Sequence, residues 1–586
     1  MESQDTTIHA TPKPTRGSRL GHWLMTPATQ CWRFLVVGVA AWLLLFSLTK
    51  WTSDGWWNYL PLLLVELYIV ALGVCLLPKK WRSTAFIVIY ILMYLTGAAE
   101  SFIYQRYFTH FTPQTLAMVR ETTSEESAGF LKLCFSSPKL WWTLLWWSVL
   151  LLAHIALHTF TKKITAGKWV RRIIVSITAI SLIWWIPARV ETCRFLLLDN
   201  TSEAERIDNT IFYSTPWRVV YAAKFEMLAQ NEMHTLAHNM EHMDVETSES
   251  GIPYIYFVIG ESYNKHHSAV YGYELPTTPF QTQSEKDSIM VAMRNAVTPW
   301  NVTSMVFKQM FSTRSSDEDA QWTDGVLFPA LMRKAGYTVT FLTNQFYKSN
   351  RQTSTDYNGS FFLNKQPFDS LCFDVRNKKH YLYDGGMLKE LCQEPTPEKQ
   401  FVIIHLLGQH QPYADRIPKG KAQFKASDIK RKDLSREERQ TVADYDNATL
   451  INDQFLKMLY DRIASKKAII VYVADHGEEV YDGNIGMFGR NHTAEPTPQI
   501  MRAEFEVPLE VFVTPSLQQA QSELMTQLRN AIDKPVAIDD LPHTLLKMAG
   551  IKNYYNSQRD FMSNDFKPRP RRIKGLKTTY DEIIKR

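Results

Sequence analysis

The chain has 586 residues, 45% of them hydrophobic, and a formal net charge of +6. That length exceeds one domain, and the apolar residues are spread unevenly: the first third is crowded with Trp, Leu, Ile and Val, whereas the part after about residue 240 has the mixed polarity of a soluble globular domain. The positive charge does not mark a nucleic-acid partner, because the bases cluster beside apolar segments, where they report membrane topology.

Beyond an N-terminal segment (residues 1–31), five stretches approach the roughly 20 residues that a spanning helix needs. They are Trp32–Thr49, Tyr59–Leu77, Ser83–Phe102, Leu140–His158 and Trp169–Pro187. No convincing signal-peptidase site follows the first, so it reads as a retained anchor. Lys13, Arg16 and Arg19 precede it; Lys79, Lys80 and Arg82 separate the second span from the third; Lys162, Lys163, Lys168, Arg171 and Arg172 separate the fourth from the fifth. By the positive-inside rule the N-terminus is cytoplasmic, and five crossings leave the C-terminal part outside, in the periplasm of a Gram-negative cell. The expected organisation is a transmembrane domain over residues 32–187, a helical bridge over 188–250, a catalytic domain over 251–560 and a basic tail over 561–586.

The third and fourth spans are joined outside by residues 104–138. Leu116, Val119 and Met118 give this loop a short amphipathic stripe, compatible with a helix lying in the interface or with a solvated connector. Further on, His234, His238 and His242 recur at four-residue spacing and share one helix face. No acidic partner at matching spacing completes a ligand set, so they read as a solvated polar face. The six cysteines are few for a disulfide scaffold. On the exported side the candidate pair is Cys372 with Cys392.

From residue 252 short β-rich runs alternate with helical ones. Strands are expected at Tyr254–Ile259, Thr338–Leu342, Phe401–Leu406, Ala468–Val473 and Leu509–Val513, and helices at Leu327–Ala335, Arg436–Ala464 and Leu541–Met548. Ser435 and Glu438 are spaced as a capping box. The alternation implies an α/β domain with a sheet sandwiched between helices. The tail Lys567-Pro568-Arg569-Pro570-Arg571-Arg572 reads as an extended arm, its charge directed at anionic lipid or at nothing.

Chemistry concentrates at strand ends. Gly260-Glu261-Ser262 closes the first run and Asp475-His476-Gly477-Glu478 closes the fourth, and in a parallel sheet both emerge at the carboxyl edge, where such folds bind ligands. Two carboxylates and an imidazole converging there suit Zn²⁺ or Mn²⁺. His405 and His410 lie at or beyond another strand, and His492 lies in the loop after the Asp-His motif. A hydroxyl in the fourth ligand position would be sharpened for attack by the metal. Thr303 is preferred, because it opens a helical run whose free amides assist an anion; Thr298 and Ser304 remain candidates, and a plain helix cap is the structural alternative.

In this order, Gly260-Glu261-Ser262, Tyr271-Gly272-Tyr273, Thr277-Thr278-Pro279 and Asp475-His476-Gly477-Glu478-Glu479 resemble the phosphoethanolamine transferases of the alkaline-phosphatase/sulfatase superfamily. His405-Leu406-Leu407-Gly408, Tyr445-Asp446-Asn447-Ala448 and Gly489-Arg490-Asn491 look most like members that modify the lipopolysaccharide core. The resemblance implies zinc held by Glu261, Thr303, Asp475 and His476. It also implies substrate contacts by His410 and His492, and by the interfacial loop, where the family's Asn-x-x-x-Thr-x-x-x-Glu pattern falls on Met118, Thr122 and Glu126. The family's first active-site threonine is replaced here by Asn301.

The implied reaction moves phosphoethanolamine from phosphatidylethanolamine to a lipopolysaccharide acceptor, core or lipid A, through a phospho-threonine intermediate. His410 would serve the leaving group, His492 the phosphate or the acceptor, and the chain would work as a monomer among membrane lipids. The rival readings are a membrane-anchored phosphodiesterase, a glycerol-phosphate transferase acting on another surface glycan, and a non-catalytic membrane sensor. A true sulfatase would need a C/S-x-P-x-R motif in its catalytic domain, and none occurs beyond residue 250.

Overall fold

The structure is a computed structural model that describes residues 24–49, 56–107, 110–111, 135, 137–162, 164–198, 209–248, 251–316, 321–345, 359–364, 366–377, 379–391, 397–482, 488–490, 497–574 and 578–585. Its contacts divide the chain into two units, one built from residues 1–112, 125–198 and 206–224 and the other essentially from residue 225 to the end.

The first unit contains five apolar helices: α1 (Trp32–Thr49), α2 (Leu60–Leu76), α3 (Lys79–Tyr107), α4 (Pro138–Thr161) and α5 (Lys168–Leu197). Each coincides with one expected span. Four are long and apolar enough to cross a membrane, and α2 is a shorter apolar helix. Leu92, Leu95, Leu152 and Ile183 point outward, an arrangement that lipid makes favourable and water would not. The protein is therefore a multi-pass membrane protein. The fifth span outruns its expected end at Pro187 by ten residues to Leu197, because a proline removes one backbone bond without forcing the following turns out of the helix. Those extra turns turn Arg189 inward, where it donates to the Ile211 carbonyl at 2.8 Å and pairs with Glu66 at 3.4 Å. The helix α6 (Thr215–Glu241) begins in this unit, where Arg218 meets the buried carboxylate of Glu100 at 2.5 Å.

The exported unit is built on a seven-stranded sheet. Its strands are β1 (Tyr254–Gly260), β2 (Met290–Met293), β3 (Thr338–Thr343), β4 (Val375–Arg376), β5 (Gln400–His405), β6 (Ala468–Ala474) and β7 (Leu509–Val513), in the order β2-β7-β6-β1-β5-β3-β4. Strands β6, β1, β5, β3 and β4 run parallel, and β7 is antiparallel to both β6 and β2. The central strands are unbroken runs of apolar residues such as Ile255-Tyr256-Phe257-Val258-Ile259, all buried, as strands covered on both faces must be. The expected α/β sandwich is present, with α8 (Arg436–Ile463) packed on it and opened by the anticipated capping box: Ser435 Oγ accepts from the Glu438 amide, and the Ser435 amide donates to the Glu438 carboxylate.

Two expectations need revision. The basic C-terminal segment is no free arm: Arg569 pairs with Asp539 and Asp540, each at 2.7 Å, and Ile573, Tyr580 and Ile583 are buried. Its charge finds internal carboxylates, which satisfy a guanidinium better than water does once the surrounding chain has excluded solvent. Arg571 donates to Asn295 Oδ1 at 2.7 Å and the Lys574 amide donates to the Pro299 carbonyl at 2.8 Å. The segment thus straps down the loop before Thr303. Cys372 is buried with a free thiol, while Cys392 lies outside the described residues.

Candidate metal centre

Register brings the two acidic motifs together. Gly260 at the end of β1 pairs with Ala474 at the end of β6, so Glu261 and Asp475 leave the sheet side by side. The turn after β5 closes over them. Gly408 sits at φ 49, and a side-chain carbon there would lie 2.9 Å from the backbone of Glu261, so only glycine permits the approach. The Asp384 carboxylate fixes the same turn by accepting from the Leu407 and Gly408 amides at 3.0 and 2.9 Å.

Glu261, Asp475 and His476 are fully buried, and their donor atoms lie within 4.8 Å of one another. His476 Nε2 stands 3.3 Å from both Glu261 Oε1 and Asp475 Oδ2. Its Nδ1 is 2.8 Å from the Gly477 carbonyl; donating there leaves the Nε2 lone pair for an electrophile. Asp475 Oδ1 accepts from the His476 and Ser262 amides at 2.7 and 3.3 Å, whereas Oδ2 has no hydrogen-bond partner despite complete burial. A buried, unsatisfied carboxylate oxygen is costly unless a cation is meant to meet it. Burial and the adjacent Glu261 carboxylate push Asp475 up to about 7. Burial works the same way on Glu261, yet His476 outweighs it and holds that carboxyl well below its usual range. The donor set fits a single divalent ion with mixed oxygen and nitrogen ligands.

A hydroxyl completes the cluster. A helix α7 (Thr303–Phe311) begins at the site, and Thr303 Oγ1 donates to Glu261 Oε2 at 3.1 Å and lies 3.2 Å from His476 Nε2. Of the three candidate hydroxyls only this one has bonds into the ligand set. Thr298 donates instead to the Trp300 carbonyl at 3.0 Å, and Ser304 Oγ is buried without a partner.

The remaining expected residues divide. His410 is half-buried, with Nδ1 2.9 Å from the Gln411 carbonyl. His405 ends β5 in the core, 3.2 Å from Thr343 Oγ1, where burial lowers it to about 4 and keeps it neutral. Thr122, Glu126 and His492 lie outside the described residues. Three further side chains join the site without having been expected from the motifs. Gln345 Nε2 donates to Glu261 Oε2 at 2.8 Å, Ser262 Oγ donates to Glu261 Oε1 at 2.7 Å from a strained φ of 54, and Arg490 Nη1 lies 2.8 Å from His476 Nε2. Gln345 and Ser262 each lie just past the carboxyl end of a parallel strand, and Arg490 lies in the Gly489-Arg490-Asn491 run, so position carried a signal for all three.

Residues 253–551 match the sulfatase family. The chain belongs to that family. Over 573 residues it is 25% identical to the phosphoethanolamine transferase EptC of Escherichia coli (strain K12), covering 90% of this chain and 94% of that protein. It is 26% identical to the phosphoethanolamine transferase CptA of Salmonella typhimurium, over 85% of this chain and 86% of the relative. Among solved structures, the integral membrane phosphoethanolamine transferase EptA of Neisseria meningitidis superposes with a TM-score of 0.58 at 16% identity, covering 92% of this chain and 98% of that one. That likeness extends through membrane and exported parts alike, and the resemblance read from the motifs is borne out.

Proposed function

We propose that this protein is a zinc-dependent transferase that moves phosphoethanolamine from phosphatidylethanolamine to a lipopolysaccharide acceptor, core or lipid A, on the periplasmic side of the inner membrane. The reading is carried by one observation: Glu261, Asp475 and His476 converge around the Thr303 hydroxyl in a chain anchored in lipid. The full-length relatives bear the matching name. Those three side chains and Thr303 would hold the ion. When bound, zinc supplies the positive charge that lowers the threonine pKa and offsets charge gathering on phosphoryl oxygens.

Thr303 Oγ1 attacks the donor phosphorus as the bond to the glyceryl oxygen breaks, leaving a phosphoethanolamine-threonine and diacylglycerol. His410, with Nδ1 engaged by the Gln411 carbonyl, has Nε2 available to protonate that departing oxygen. The acceptor hydroxyl then displaces threonine, with His492 assisting the phosphate or the acceptor and Thr122 and Glu126 contacting substrate from the interfacial loop. Anchoring raises the local concentration of both lipids, and one chain carries every group required, so a monomer suffices.

Headgroup-labelled phosphatidylethanolamine supplied to the purified full-length chain tests this. The label should appear first on Thr303 and then on lipopolysaccharide; release of free phosphoethanolamine with no labelled protein or acceptor would make the enzyme a hydrolase.

A further inference from the structure

A second cluster of metal-ligating side chains stands apart from the catalytic one, at the end of α6. His238, Glu241 and His242 place one donor atom each within 4.8 Å of one another. The four-residue count along this helix had shown only imidazoles; the carboxylate comes from Glu241, three residues after His238, which lies on the same face.

Three features mark a site that is built and accessible. First, all three side chains are exposed, and among the described residues Glu241 forms no ion pair. Second, His242 Nδ1 lies 3.0 Å from the His238 carbonyl. Donation to it fixes the tautomer and leaves Nε2 as a lone pair, the arrangement in which ligating histidines are usually held. The two imidazole rings stand 4.7 Å apart. Third, the turn beneath them is anchored: Leu236, Met240 and Met243 are buried in the core of the exported unit, and Asn239 Nδ2 donates to the Thr323 carbonyl at 2.9 Å. Ligands on a rigid element need little rearrangement to bind.

We infer that His238, Glu241 and His242 form a peripheral zinc site, independent of the catalytic ion. Two neutral imidazoles and one carboxylate match the preference of Zn²⁺, with water filling the open position. Glu241 is the last residue of α6 and His242 lies just beyond it. The ion therefore ties the chain leaving the helix back to the turn before, and secures the passage from α6 to β1.

The experiment uses the full-length protein in detergent, stripped of metal and titrated with Zn²⁺ by calorimetry, with bound metal counted by mass spectrometry. Wild type should bind two zinc ions per chain. His238→Ala/His242→Ala should retain one, with unchanged transfer activity, and Glu241→Ala should weaken the second by at least about tenfold. Asp475→Asn should lose the other ion and keep this one. Zinc should also slow hydrogen exchange of amides 242–246 in wild type and not in the double variant. One zinc in wild type, or two in the double variant, would overturn the assignment. These ligands are exposed, so a folding defect does not confound the result.

Discussion

Two carboxylate-histidine clusters of the exported unit use the same ingredients to opposite ends. At the sheet edge Glu261, Asp475 and His476 leave the buried Asp475 Oδ2 unsatisfied, while His476 Nε2 is met by Arg490 and Thr303. Elsewhere in the unit His267 is closed in completely: Nδ1 meets Asp446 at 2.6 Å and Nε2 meets Asp482 at 3.1 Å. Tyr273 donates to the other Asp446 oxygen at 2.9 Å, and Asn264 donates to Asp482 at 2.9 Å. Satisfied polar networks rigidify a fold, while unsatisfied ones are where chemistry or an ion is received. Composition does not separate the two clusters. The count of open lone pairs does.

The comparison breaks first at the hydroxyl. Thr303→Ala should lower phosphoethanolamine transfer by more than about a thousandfold with unchanged thermal unfolding, measured by lipid product analysis and calorimetry; full activity in that variant with loss in Thr298→Ala would move the nucleophile. Asp475→Asn should reduce zinc at the catalytic site to near zero along with activity, and stoichiometric metal in that variant would remove Asp475 from the ligand set.

The closed cluster should fail differently. His267→Ala leaves the buried Asp446 carboxylate without its cation, beside the exposed Asp482, and should cost about 3 kcal/mol of stability, read by denaturant unfolding, with the zinc content of the folded fraction unchanged. The same histidine sets a pH dependence. Burial opposes its charge, but Asp482 and Asp446 outweigh burial and raise it from its ordinary 6.5 to about 10. A raised folded pKa means that the folded state binds the extra proton, so the stabilisation is complete below the unfolded value and declines as pH rises toward 10. Unfolding temperature measured across that window should fall in wild type and fall less in His267→Gln. The smallest effect belongs to a site remote from both clusters: Ser435→Ala should remove the cap of α8 at a cost of about 1 kcal/mol and leave transfer intact.

Much of this architecture was legible in the residues. The run Leu509–Val513 becomes a strand with those same limits, because four of its five side chains are apolar and the flanking Pro508 and Pro515 punctuate it, with Glu510 the one buried exception. Its antiparallel direction was not legible, since chain reversal depends on connections that span the whole domain. Glu261, Asp475 and His476 could be read because they end the central strands. Gln345, Ser262 and Arg490 could not be ranked among many ordinary polar loop residues until the fold set them beside the carboxylates. Glu241 escaped notice for a simpler reason, that a helix face repeats at three residues as well as four.

The strap around Arg571 ties the site to a segment far along the chain. Arg571 and Lys574 hold the stretch leading into Thr303, so that loop cannot settle until a segment 276 positions beyond Asn295 has been made. The Thr303 hydroxyl stays unplaced while that later segment is still being threaded across the membrane, and a product ending before Arg571 would lack the clamp.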